Sequence, residues 1–115
     1  MTQAEMNMQI STIRNQWWNH VNGREPLPWH EAPHWPHLLA DIVAHGYFAV
    51  RLCYCAIDQT WQVETEVEAD SPTISEETNH PQHTPGGAVC LAWLRWMAAT
   101  KGIGVVDGDV QRAIV

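Results

Sequence analysis

The sequence predicts an α+β fold, helix–helix–β-hairpin–helix, an α-β-β-α core with an antiparallel sheet packed on helices. Three observations carry this. An apolar stripe at helical spacing opens the chain, a strictly alternating segment occupies 61–69, and a Thr-Pro pair at 84–85 leads a long apolar helix that stops at Gly102.

In the first element, Met6, Ile10, Ile13, Trp17 and Val21 recur at spacings of three and four, so a helix is expected through Val21. Asn22-Gly23 supplies its stop. Residues 23–36 hold Pro26, Pro28, Pro33 and Pro36, which remove backbone donors and fix φ, so a loop is expected there. Pro36 suits the first position of a second helix, with Leu38, Leu39, Ile42 and Val43 on one side and Gly46 as its end.

Residues 47–57 are rich in aromatic and branched side chains and read as a strand. In 61–69, Trp61, Val63, Val67 and Ala69 share one face with Thr65, and Gln62, Glu64, Glu66 and Glu68 share the other. A two-residue turn at Asp58-Gln59 pairs Tyr54 with Val63 and Val50 with Val67, and sets Arg51 opposite Glu66. That register puts Phe48, Val50, Leu52, Tyr54 and Ala56 on the apolar face, and a one-residue slip would mix the faces. Residues 70–83 have almost no apolar content and are expected to form a mobile loop. Thr84 is the expected N-cap and Pro85 the first residue of the closing helix. Ala88, Leu91, Leu94 and Ala98 form its seam, with Cys90 and Met97 beside it. Residues 103–106 offer a short further strand and Asp109 a cap for a last turn.

The chain has 115 residues, which is one domain: an N-terminal helix and Pro/Trp/His loop over 1–35, the core over 36–102 and a tail over 103–115. Thirteen acids against six bases give a net charge of −7, which argues against direct nucleic-acid binding. No apolar run is long enough for a membrane span, and no secretory signal is visible, so a cytoplasmic setting is expected. The odd cysteine count (Cys53, Cys55, Cys90) fits a reducing compartment. Protonating all seven histidines would cancel the charge, so solubility is expected to fall towards mildly acid pH.

The stretch 36–100 resembles the phage ABA sandwich domain, a small α-β-β-α module of phage and prophage genes. The likeness rests on PHWPHLLADIVAHG, WQVETEVEA and TPGGAVCLAWLRWM, with Trp17-Trp18 and Pro28-Trp29 similar to the family's tryptophan-bearing lead-in. It implies the fold and a phage origin in a bacterial cytoplasm, and carries no catalytic residue.

Several constellations bear on chemistry. His30, His34 and His37, with His80 and His83, form the strongest metal-like cluster, but Pro33 and Pro36 interrupt it and neither HExxH nor CxxC is present. The expectation is therefore no metal, no cofactor and no catalytic residue. Cys53 and Cys55 lie on the acidic face near Glu64, where carboxylates suppress the thiolate. Trp17, Trp61 and one of Trp93 or Trp96 read as core. Trp18, Trp29 and Trp35, beside His30, His34 and His37, read either as a recognition surface or as a loop packed on the body.

The expected function is binding, by a phage-encoded accessory protein that inhibits a host antiviral defence system in anti-CRISPR fashion. It would engage a basic nucleic-acid-handling protein through Trp18, Trp29, His30, His34, Trp35, His37, Glu64, Glu66 and Glu68. No membrane partner is expected, and an oligomer of this chain is. The alternatives are an oligomeric sponge for a nucleotide-like defence signal, with Trp29 or Trp35 stacking, and a metal-dependent enzyme using the histidine clusters.

Overall fold

Helix α1 (Gln3–Arg14) ends a full two turns before the predicted stop. A computed structural model describes residues 1–21, 23–67 and 82–102 of the chain. Thr2 caps the start of α1, its Oγ1 accepting from the Glu5 amide at 3.2 Å. Asn15 takes the left-handed conformation (φ 53°) and closes the last turn on the Ser11 and Thr12 carbonyls. The stripe therefore ends at Ile13: Trp17 and Val21 leave the helix, and Val21 is 94% exposed. Asparagine reaches positive φ at low cost, and the aromatic pair that follows prefers extended backbone.

Strands β1 (Trp17–His20) and β2 (Gly23–Pro26) pair antiparallel, with Trp18 opposite Glu25 and His20 opposite Gly23. Part of the expected loop is thus a hairpin, with Gly23 paired to His20 at φ 140°, a conformation that glycine adopts readily. The element order is α1, β1, β2, α2, β3, β4, α3, so the expected direct helix–helix start is interrupted. Among the described residues the class is α+β, with three helices and two antiparallel two-stranded sheets.

Helix α2 (Trp35–Ala44) carries Pro36 in its first turn and buries Leu38 and Ile42, with Leu39 packed at the edge of the core. Val43, expected on the same side, is mostly exposed. Helix α3 (Pro85–Lys101) matches its expected bounds and caps: Thr84 Oγ1 accepts from the Gly87 amide at 3.0 Å, and Gly102 ends it at φ 65°. Its burial is wider than one seam. Every residue from Gly86 to Arg95 is buried, and so is Ala98, because α1, α2 and β4 pack around this central helix.

Strands β3 (Ala49–Cys55) and β4 (Thr60–Glu66) form the second hairpin. Its register differs from the expected one by two residues: Tyr54 pairs with Trp61, Leu52 with Val63, Val50 with Thr65 and Arg51 with Glu64. The link is four residues, 56–59, with Gln59 at φ 54°. A shift of two keeps every side chain on its face, so alternation fixes the register only to an even number of steps. Val63 and Thr65 are buried against α3, whereas Phe48 (61% exposed) and Val67, both expected under cover, are not. Ala69, Glu68, most of 70–83 and the tail from 103 lie outside the described residues.

One anchor ties α1 to the segment that follows the first hairpin, and a second ties the helices to one another. The Ser11 hydroxyl accepts from Trp29 Nε1 at 2.9 Å and from the Leu27 amide at 3.1 Å. Asp41 on α2 accepts from Trp93 Nε1 of α3 at 2.9 Å and pairs with Arg14 of α1. One carboxylate therefore joins all three helices.

Candidate functional site

The outer face of the β3–β4 hairpin collects the polar side chains of both strands. Pleating sends Val50, Leu52, Tyr54, Trp61, Val63 and Thr65 to the face that meets the helices. The alternate residues Arg51, Cys53, Cys55, Gln62, Glu64 and Glu66 face away. Arg51 sits across the ladder from Glu64, and its guanidinium reaches diagonally to Glu66, Nη1 to Oε1 at 2.9 Å. The expected Arg51–Glu66 contact exists, but by this diagonal and not by direct pairing. Gln62 Nε2 donates to Glu64 Oε1 at 3.0 Å. Glu66 is thus neutralised within the chain, while Glu64 accepts from the neutral Gln62 amide and lies beside the Cys53 thiol.

Towards the turn, the face opens into a groove of about 370 Å³ lined by Cys53, Tyr54, Cys55, Asp58, Thr60, Gln62 and Glu64. Two of the lining residues are carboxylates and none is Lys or Arg. The Cys55 thiol points at Asp58 Oδ2 across 3.7 Å. Burial, and then the nearby Glu64, push the Cys53 thiol above its ordinary value, so it stays protonated near neutrality. Burial among the α3 side chains pushes Cys90 up to about 12. Both cysteines are poor nucleophiles for that reason. A smaller apolar cavity of about 30 Å³, lined by Ile42, Tyr47, Val63, Thr65, Ala92, Trp96 and Ala99, has room for roughly one water molecule and not for an organic ligand.

The tryptophan and histidine residues do not assemble into one surface. Trp29 is 1% exposed, lies among Met6, Ile10 and the α3 core, and receives the Arg14 guanidinium over its ring at 5.3 Å. This corrects its expected place on a recognition surface and removes it as a stacking platform. The indole is the largest apolar group in the segment, and Ser11 satisfies its one donor, so burial is the favoured state. His34 stands edge-on to Trp29 at 6.0 Å, and His30 Nδ1 lies 3.0 Å from Asn7 Nδ2 of α1. Trp35 is half-buried against the core, His37 is exposed at the start of α2, and Trp18 is half-exposed on the other hairpin. Trp17 and Trp61, expected in the core, are half-buried, and the fully interior indoles are Trp29 and Trp93. Among the described residues no three His, Cys, Asp or Glu side chains converge as metal ligands. His80 and Glu68 lie outside those residues.

Glu64 and Glu66 were legible as a shared outward face. Tyr54, Asp58, Thr60 and Gln62 were not singled out, because the groove depends on the four-residue link that alternation does not reveal. Comparison with family models, with curated proteins and with solved structures returns no match to this chain. Among the described residues no helix is long and apolar enough to cross a membrane.

Proposed function

We propose that this chain acts by binding, docking the outer face of the β3–β4 hairpin onto a basic surface of another protein. The observation that carries this reading is a groove lined by two carboxylates, Asp58 and Glu64, with no cation among its lining residues. An arginine or lysine side chain entering it would meet both carboxylates, a charge-assisted contact that suits a guanidinium or ammonium in a partly dry crevice. The net charge of −7 steers the approach of a positive partner. A surface that normally holds nucleic acid is such a partner, and it would accept acidic side chains in place of phosphates.

The likeness of 36–100 to the phage ABA sandwich domain supports a more specific setting, a phage-encoded accessory protein that blocks a host antiviral complex. Raised thiol pKa values at Cys53 and Cys90 support binding over cysteine chemistry.

Calorimetry with an arginine-rich peptide, beside a matched acidic peptide, tests the reading. Only the arginine-rich peptide should bind. The Asp58→Asn/Glu64→Gln double variant should lose affinity roughly tenfold, a change of about 1.4 kcal/mol. Equal affinity in the native protein and the double variant would overturn it.

A further inference from the structure

Among the described residues, the second hairpin has one edge bridged at Trp61 and one open edge. The Trp61 amide donates to the Gln82 carbonyl at 2.5 Å, and the Gln82 amide returns a bond to the Trp61 carbonyl at 2.8 Å. Both backbone groups of Trp61 therefore point away from β3. In an antiparallel ladder, two directly opposed residues face their backbone groups either both inward or both outward. Tyr54 opposes Trp61, so its amide and carbonyl point away from β4, and by alternation so do those of Leu52 and Val50. No backbone hydrogen bond among the described residues engages these groups.

We infer that this edge of β3 pairs with the same edge of a second copy of the chain, antiparallel, with Leu52 on the two-fold axis. The open groups specify a strand as occupant, and four features specify a copy of itself. First, edge strands are normally guarded by proline, lysine or inward charges. Ala49–Cys55 contains no proline, no lysine and no carboxylate, and its one charge, Arg51, is already held by Glu66. Second, the axis at Leu52 overlaps all seven residues. Val50 falls beside Tyr54 of the second copy and Arg51 beside its Cys53, so the apolar row continues as an apolar row. Moving the axis to Arg51 would oppose two guanidinium groups, and moving it to Cys53 would shorten the overlap.

Third, the acidic residues lie on β4. In the four-stranded order β4–β3–β3–β4, the two Glu64 positions are three strand spacings apart, about 14 Å. That exceeds the screening length of roughly 8 Å at physiological salt, so self-repulsion does not oppose the pairing. Fourth, Tyr54 is 51% exposed although it lies on the apolar face, because α3 packs under β4 and β3 extends past it. Val50 of the second copy would cover that ring. A two-stranded ribbon is marginal in water, and a four-stranded sheet is of ordinary size. This inference does not depend on what the outer face binds, and its test contains no ligand.

The test is sedimentation velocity over a concentration series, with residue-resolved amide hydrogen exchange on the same samples. The expected result is a dimer whose Val50, Leu52 and Tyr54 amides slow roughly tenfold or more as the dimer fills, while Arg51 and Cys53, already bonded to β4, change little. Tyr54→Pro, which removes one outward amide, should leave a folded monomer. A monomer at every concentration overturns the inference, and so does a dimer in which those three amides still exchange freely. Pairing of the edge with a different protein alone would appear as the first of these.

Discussion

Strands β1 and β2 are four residues each, end on Pro26 and carry Arg24 and Glu25 along their edge, whereas β3 and β4 are seven residues each with an unguarded edge. The first hairpin delivers Leu27 and Trp29 to the Ser11 hydroxyl and so straps the N-terminal segment to the core. The second buries Val63 and Thr65 beneath it and leaves Glu64, Tyr54 and the β3 edge outside. On the proposed reading, the two hairpins of one chain divide structural and interaction roles. The difference lies in edge chemistry and strand length, not in apolar content alone.

The strap and the junction of the three helices are the places where substitution should cost most. A Cβ at Gly86 would stand 1.8 Å from the His30 carbonyl oxygen, a backbone atom with nowhere to move. Gly86→Ala should therefore destabilise by about 3 kcal/mol in urea denaturation, at the upper end for overpacking. Asp41→Ala removes the acceptor shared by Arg14 and Trp93 and should cost about 2 kcal/mol by the same assay. Trp29→Phe keeps a ring but removes the indole N–H that donates to Ser11, leaving only the Leu27 amide there, and should cost about 1–2 kcal/mol. Val21→Ala, at a 94% exposed position of the first hairpin, should change stability by less than about 0.5 kcal/mol. Equal costs for Trp29 and Val21 would break the division between strap and surface.

A smaller effect follows from Cys90. Burial raises its pKa from 9.0 to about 12, so the folded state keeps a proton that the unfolded state releases. The associated stability is fully present below pH 9 and is lost as pH rises from about 9 towards 12. Burial also raises Tyr47 above 10.0, which adds to the same decline. Chemical denaturation between pH 8 and 11 should show the loss, and Cys90→Ala should flatten part of it.

The elements with redundant signals were the legible ones. Helix α3 announced itself through Thr84, Pro85 and Gly102, and the two faces of β4 through alternation. Two readings failed where the signal was degenerate. The stripe from Met6 to Val21 fits a helix, but Asn15 adopts positive φ and diverts the chain, a local choice that spacing does not encode. The hairpin register slipped by two because alternation has period two, and the groove between Asp58 and Glu64 was hidden with it. Trp29 was misplaced because its proline-rich neighbours mark a loop and say nothing about which of its side chains turns inward. Its partner Ser11 sits on another element and has no signature in sequence.

Titration of an arginine-rich peptide into the isotopically labelled protein, followed by amide-resolved NMR, tests the division of roles most directly. The account predicts shift changes confined to Cys53, Cys55, Asp58, Thr60, Gln62 and Glu64, with the amides of β1 and β2 unmoved. Changes centred on Trp18, Arg24 and Glu25, or spread evenly over the acidic residues of the chain, would contradict it.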